Sequence, residues 1–257
     1  MPNKTKIFIC ATIKNRFKNL KRLMQSLSEI KDLENMHFSL SDYASDDGDI
    51  RALLDKQEFP CSHVLLTDAP FNRSQGLNCA LMPLKPARED LVFFVDVDML
   101  VPDELTTQMR EIVRQGVCWF PICYSLHKGK EPKVLKNSKH ASKANGWWRV
   151  EGKGMCGFMV GDFIDIGKWH ERVGVTYGRE DGLIARRATK QGGLKMVRRN
   201  CHGLYHVWHP TGSYRTKHHM KAKTRPGKNK RKGRINPHAP QPKIELWHSE
   251  CPAESES

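Results

Sequence analysis

The chain has 257 residues, an apolar fraction of 39% and a formal net charge of +15. That is enough apolar sequence for one sizeable core, which excludes a wholly disordered chain, and no apolar run approaches the ~18 residues of a membrane span. Eleven Lys and Arg and no acid lie between residues 210 and 243, which leaves the rest of the chain at only +4 and argues against a broad nucleic-acid-binding face on its body.

The basic start MPNKTKIFICATIK holds an apolar run too short for a secretory leader. Residues 6–13 predict a buried strand. Residues 15–30 follow as a helix, with Phe17, Leu20, Leu23, Met24 and Leu27 at helical spacing. Next come a strand ending at Asp42, a charged turn SDDGD with a short helix after it, the strand SHVLLTDA, and a helix over residues 74–82. The run DLVFFVDVDML, residues 90–100, then predicts a strand that breaks into Asp96, Val97 and Asp98. In a continuing strand the two aspartates share a side, and like charges that close need a cation or a donor beside them. In such a composition roughly three acid-x-acid triplets arise by chance, so the motif is weak on its own.

Pro102, Asp103 and Glu104 open a further helix closed by Gly116, and VCWFPICYSL reads as strand. Strands alternating with helices predict an α/β fold, a mostly parallel central sheet with helices on both faces. Ligands bind such sheets at the carboxyl ends of strands, where Asp42, Asp96 and Asp98 all fall.

Residues 128–148 read as a long polar loop or a flap, and GMCGFMVGDFIDIGKWHE is rich in glycine and aromatics. REDGLIARRATKQGG predicts a helix with acids at its start, stopped by Gly192 and Gly193. LKMVRRNCHGLYHVWHP predicts a strand pair ending at Pro210. The expected organisation is one domain over 1–210, with a nucleotide-binding half (1–100) and an acceptor-binding half (101–210), and a basic, flexible tail over 211–257. The tail's charge suits an anionic membrane surface at which the chain associates peripherally, nucleic acid, or an acidic polymer acceptor. Eight scattered cysteines without a C-x-x-C pair read as core residues of a reducing, cytoplasmic compartment.

Five stretches in order carry a resemblance: TIKNRFKNL (12–20), FNRSQGLN (71–78), FFVDVDM (93–99), GREDGLIARR (178–187) and YHVWHP (205–210). They resemble the GT-A fold glycosyltransferases, within them the β-1,4-galactosyltransferases and the chondroitin-polymerase and N-acetylgalactosaminyltransferase group. The resemblance implies transfer of galactose, N-acetylgalactosamine or a similar sugar from a UDP-sugar to a glycan or glycoconjugate hydroxyl, with inversion and with Mn2+ (or Mg2+) on the diphosphate. By the same resemblance Lys14, Asn15 and Arg16 border the nucleotide, and Phe71 and Arg73 contact uridine and diphosphate. Asp96 approaches the ribose, Val97 belongs to the nucleotide-sugar-binding set, and Asp98 and His206 hold the metal. Asp181 is the implied general base, with Glu180 orienting acceptor or donor. Asp42, or Asp46, is implied to receive the uracil; a turn-forming role is the alternative.

The chemistry suits these residue types. A departing UDP gathers charge that a hard cation and permanently charged arginines stabilise. Mn2+ accepts carboxylate and imidazole ligands, and a carboxylate can take the acceptor's proton. Arg179 departs from the family's usual second glycine in W-G-G-E-D, and Gly203 stands where the galactosyltransferases place a methionine ligand. The third ligand is then missing or water, and His209 is the alternative to His206. Trp147, Trp148 and Trp169 are candidates for stacking on sugar rings or for packing. Two other functions compete: a nucleotidyltransferase, which needs a glycine- and lysine-rich loop that ATIKNRF lacks, and a nucleic-acid-binding protein led by its basic tail.

Overall fold

The computed structural model describes residues 5–130, 141–173, 179–210 and 241–249. Strand β1 (Ile7–Ile13) is apolar on both faces, so it is stable only inside a sheet covered on both sides. Ile7, Ile9, Ala11 and Ile13 enter one core, while Phe8 and Cys10 enter the other. Strand β4 (Leu91–Phe94) repeats the pattern, with Leu91 and Phe93 in the first core and Val92 and Phe94 in the second. Helix α1 (Phe17–Leu27) closes the first core with Leu20, Leu23, Met24 and Leu27. Each such buried side chain contributes about 1.5–3 kcal/mol. Helix α3 (Arg73–Leu81) covers the opposite face through Leu77, Ala80 and Leu81. It sits close because residue 76 is glycine: a Cβ there would come 2.1 Å from Thr12 Oγ1.

Strands β2 (Met36–Asp42) and β4 pair in parallel on either side of β1, and β3 (Cys61–Thr67) extends β2 in parallel. The flanks depart from the parallel pattern. Strand β9 (Cys156–Met159) runs antiparallel to β4 and to β6 (Val117–Trp119), with β10 (Lys195–Val197) parallel to β6 at that edge. At the other edge β12 (Lys243–His248) is antiparallel to β3. A second sheet has the order β5 (Met99–Leu100), β11 (Asn200–His206), β7 (Ile122–Leu126), β8 (Gly146–Trp148). Pro121 divides VCWFPICYSL, sending β6 to the large sheet and β7 to the small one.

Four expectations change. Strand β4 stops at Phe94, and Asp96, Val97 and Asp98 form a turn closed by the Met99 amide donating to the Asp96 carbonyl at 3.1 Å. The two aspartates therefore do not share a strand face. Helix α4 (Leu105–Ile112) ends four residues before Gly116, whose φ of 75° marks the turn into β6. The REDG helix is short: α6 (Glu180–Arg186) passes into a single π turn, Arg187–Gln191, closed by the Gly192 amide on the Arg187 carbonyl at 2.8 Å. Within the expected tail, residues 243–248 form β12, while residues 211–240 lie outside the described residues. The short helix after SDDGD is α2 (Ile50–Leu54), capped by Asp49. In the glycine-rich stretch β9 leads directly into α5 (Val160–Asp165). Among the described residues six cysteines are buried, split between the two cores. Among the described residues no helix is long and apolar enough to cross a membrane.

Candidate active site

The carboxyl ends of β1, β2 and β4 share one end of the sheet because these strands are parallel. The loops there bind each other. Asn15, at a φ of 51°, donates its amide to Ser45 Oγ at 2.9 Å and accepts from the Asp46 amide at 3.1 Å. Lys14 Nζ donates to the Ala44 carbonyl at 2.6 Å. Asp42 is buried, accepting from the Ser45 amide and hydroxyl and from His63. Burial alone would raise its carboxyl, but those hydrogen bonds hold it below its usual value. Its contacts are those of the turn-forming alternative. Phe71 is exposed and meets Tyr43 edge-on at 5.2 Å.

Arg73, the first residue of α3, is the centre of one half of the site. Its Nε donates to Asp96 Oδ1 at 2.7 Å, Nη1 to Asp181 Oδ1 at 3.2 Å, and Nη2 to the Gly154 carbonyl at 2.8 Å. The guanidinium lies over Trp169, 5.0 Å from the ring centre, and Trp169 is itself core. Burial disfavours the Arg73 charge, but Asp96 and Asp181 outweigh it and keep the group firmly protonated. The helix is fixed there by Asn72, which caps it on the Gln75 amide, and by Asn78, which binds the Trp169 carbonyl and Glu171. Asp181 is partly open, and burial raises its carboxyl against the pull of Arg73. Glu180 is buried, and its charge acts on Arg73. Gly154 completes this corner: a Cβ there would stand 3.2 Å from Asp181 Oδ2 and 3.4 Å from Asp96 Oδ2.

Asp98 organises the other half. Its Oδ2 lies 2.8 Å from His209 Nε2 and 3.8 Å from His206 Nε2, and one ligand atom from each of the three residues falls within 4.8 Å of the others. His206 Nδ1 is 3.0 Å from Ser125 Oγ. His209 Nδ1 is 3.0 Å from the Pro210 carbonyl, which can only accept, so Nδ1 carries the proton. Nε2 then meets Asp98 Oδ2 as a donor when His209 is charged and as a free lone pair when it is neutral, and Asp98 Oδ1 is buried with no hydrogen-bond partner among the described residues. The orphaned oxygen and the two imidazoles beside it fit a cation held by the three residues. Burial would raise the Asp98 carboxyl, but His209, His206 and Arg16 hold it low, and the bond to Asp98 raises His209. Burial lowers His206.

The sequence-derived residues thus gather at one end of the sheet, with differences in detail. His206 and His209, alternatives in the sequence, both face Asp98. The Val97 side chain lies in the core. Trp148 packs on Tyr124 and His202, and of the three tryptophans named above only Trp147, at 51%, is exposed. Three residues of the site lie outside the sequence motifs: Gly154, Ser125 and Arg149, whose charge acts on Asp181 and His206. A glycine-rich stretch was the only signal for the first, and nothing local marks the other two.

A sequence profile of the family described as chondroitin N-acetylgalactosaminyltransferase matches residues 2–227. Chondroitin sulfate N-acetylgalactosaminyltransferase 2 of Mus musculus is 30% identical over 151 residues, 55% of this chain and 27% of that protein. The chain therefore spans about a quarter of that relative's length. The S. aureus TarS 1-349 complex with UDP-GlcNAc superposes with a TM-score of 0.60 at 15% identity, over 81% of this chain and 60% of that one. The mannosyltransferase PcManGT from Pyrobaculum calidifontis, in complex with GDP-Man and Mn2+, gives 0.56 at 15% identity, over 84% and 60%. At these identities the likeness shows the fold, which is that of the GT-A glycosyltransferases.

Proposed function

The chain belongs to the chondroitin N-acetylgalactosaminyltransferase family, and on that premise we propose that it transfers N-acetylgalactosamine or a closely similar sugar from a UDP-sugar to a hydroxyl of a glycan acceptor, with inversion. The observation that carries this reading is the pairing of two clusters at the strand ends. Asp98, His206 and His209 form a carboxylate–imidazole set, and beside it Arg73 holds Asp96 and Asp181.

In this reading Asp98, His206 and His209 hold a divalent cation, Mn2+ or Mg2+, with Ser125 orienting His206. Bound there, such a cation offsets the charge that gathers on the leaving diphosphate. Arg16, whose charge already acts on Asp98 and His209, supplies a permanent positive donor on the same side. Phe71 and the loop of Lys14 and Asn15 line the uridine side. Arg73 fixes Asp181 through Oδ1. Asp181 Oδ2 takes the acceptor's hydroxyl proton as the acceptor oxygen bonds to the anomeric carbon and the bond from that carbon to UDP breaks. Burial raises Asp181, which makes its carboxylate a better proton acceptor. Asp96 steadies Arg73 from the other side, and Glu180 adds a buried charge to the same guanidinium. The cytoplasmic location and the membrane-seeking basic arm stay part of the reading. The charge of the basic stretch supports the second.

A UDP-release assay over a panel of UDP-sugars, with and without Mn2+, tests the reading, with Asp98→Ala beside the wild type. The expected result is release from one N-acetylhexosamine donor that requires metal, and loss of metal-dependent UDP binding in the variant. Unchanged Mn2+ affinity in Asp98→Ala would refute the ligand set.

A further inference from the structure

Resting on the transferase reading, we propose that Trp147 is the platform of an acceptor subsite, on which a sugar ring remote from the reacting hydroxyl stacks, so that the acceptor is read as an oligosaccharide. The small sheet carries the argument. His206 lies opposite Ser125, and Ser125 lies opposite Trp147. Directly opposed residues project from the same face, and the contact from His206 Nδ1 to Ser125 Oγ bears this out for the first pair. His127, two residues beyond Ser125, meets the Trp147 ring at 5.2 Å, as a side chain on that same face must. Trp147 therefore stands on the face that carries the Asp98 cluster, two strand spacings or about 10 Å from His206. A ring stacked there therefore sits to one side of the Asp98 cluster, and a further sugar unit of the same acceptor carries the reacting hydroxyl to Asp181.

Between the platform and the base lies a path of matching chemistry. Arg149 continues the β7–β8 ladder, its amide donating to the Cys123 carbonyl at 2.9 Å. By strand alternation it shares the face of Trp147. Its charge reaches both Asp181 and His206. An exposed indole beside polar donors suits a pyranose, which offers an apolar ring face and a hydroxylated rim. The other exposed tryptophan nearby, Trp208, has Lys128 over its ring at 5.2 Å as Trp147 has His127, and of the two Trp147 is the more exposed. Its exposure, at 51%, exceeds that of any other aromatic residue described.

The test compares Trp147→Ala, Trp147→Phe and wild type, using a non-sulfated chondroitin hexasaccharide and its disaccharide as probes. Calorimetry with UDP and Mn2+ present reads binding without turnover. Hexasaccharide affinity is expected to fall about tenfold in Trp147→Ala and to recover largely in Trp147→Phe. Disaccharide and UDP affinities are expected to stay unchanged. Hexasaccharide binding that is equal in wild type and Trp147→Ala overturns the platform. So does a wild type that releases UDP yet binds both probes alike, an outcome that leaves the transferase reading intact. Failure to bind UDP at all would instead sink the transferase reading.

Discussion

Arg73 illustrates how one residue can organise a site without reacting. A buried guanidinium is tolerable only when its donors are met, and three of them are taken by Asp96, Asp181 and the Gly154 carbonyl. The consequence for Asp181 is geometric. One oxygen is fixed to Arg73 and the other is directed into the corner kept clear by Gly154. Asp181→Asn keeps the Oδ1 acceptor, and hence the Arg73 contact, but cannot take a proton. Turnover is expected to drop roughly 10²–10⁴-fold, with UDP and Mn2+ binding unchanged. Single-turnover rates together with UDP titration check this; full turnover in the variant would move the base to another group.

At the level of elements, periodicity was legible wherever one force dominated. The two-faced apolar runs of β1 and β4 and the helical stripe of α1 follow directly from burial, and they locate the strand ends that hold the site. What escaped depends on partners distant in sequence. Strand β12 alternates exposed Ile244 and Leu246 with charged residues, and its place is decided by the open edge of β3. The turn at Asp96 and Asp98 replaces a strand because Arg73 and the two histidines draw the carboxylates to different partners. The sequence favours His206 and keeps His209 as the alternative; that both face Asp98 depends on the fold, with His206 held by Ser125 from β7 and His209 by the neighbouring Pro210 carbonyl. The β12 contact also has a pH signature. Ser62 Oγ lies between His37 Nε2 at 2.8 Å and His248 Nδ1 at 2.6 Å. Burial, with His248 and Lys6 nearby, pushes His37 down to about 4. The folded state therefore binds fewer protons than the unfolded one between the unfolded value of about 6.5 and 4, so stability is complete above that window and is lost as pH falls through it. Urea unfolding is expected to give about 2 kcal/mol less stability from this group at pH 5 than at pH 7, and a smaller difference in His37→Gln. An unchanged difference in the variant would assign the pH dependence elsewhere.

For the whole molecule, the basic stretch and the sheet edge are joined problems. Pro210 lies next to His209 of the Asp98 cluster, and Gln241 accepts from Gln75 of α3 at 3.1 Å. The chain then runs along β3 from Thr67 back to Ser62. Arg51 pairs with Glu245 at 2.7 Å, and Ser249 closes the ladder on Cys61. An exposed pair such as Arg51 and Glu245 contributes little, so the strand's value lies in covering β3 and seating Trp247 against the first core. Without it, CSHVLLT becomes an open edge with no Lys, Arg, Asp or Glu to guard it, the kind that pairs with other chains. Truncation after Pro210 removes ten Lys and Arg at positions 211–240 together with Lys243 and the strand it opens, so charge and edge must be separated. Neutralising those ten residues while keeping β12 is expected to leave Tm within about 2 °C of wild type, whereas truncation lowers it by on the order of 10 °C and causes self-association. Differential scanning calorimetry with light scattering reads both quantities. Equal Tm for the truncated and full chains would mean that β3 needs no cover, while a large loss on neutralisation alone would give the stabilising role to the charge of the arm.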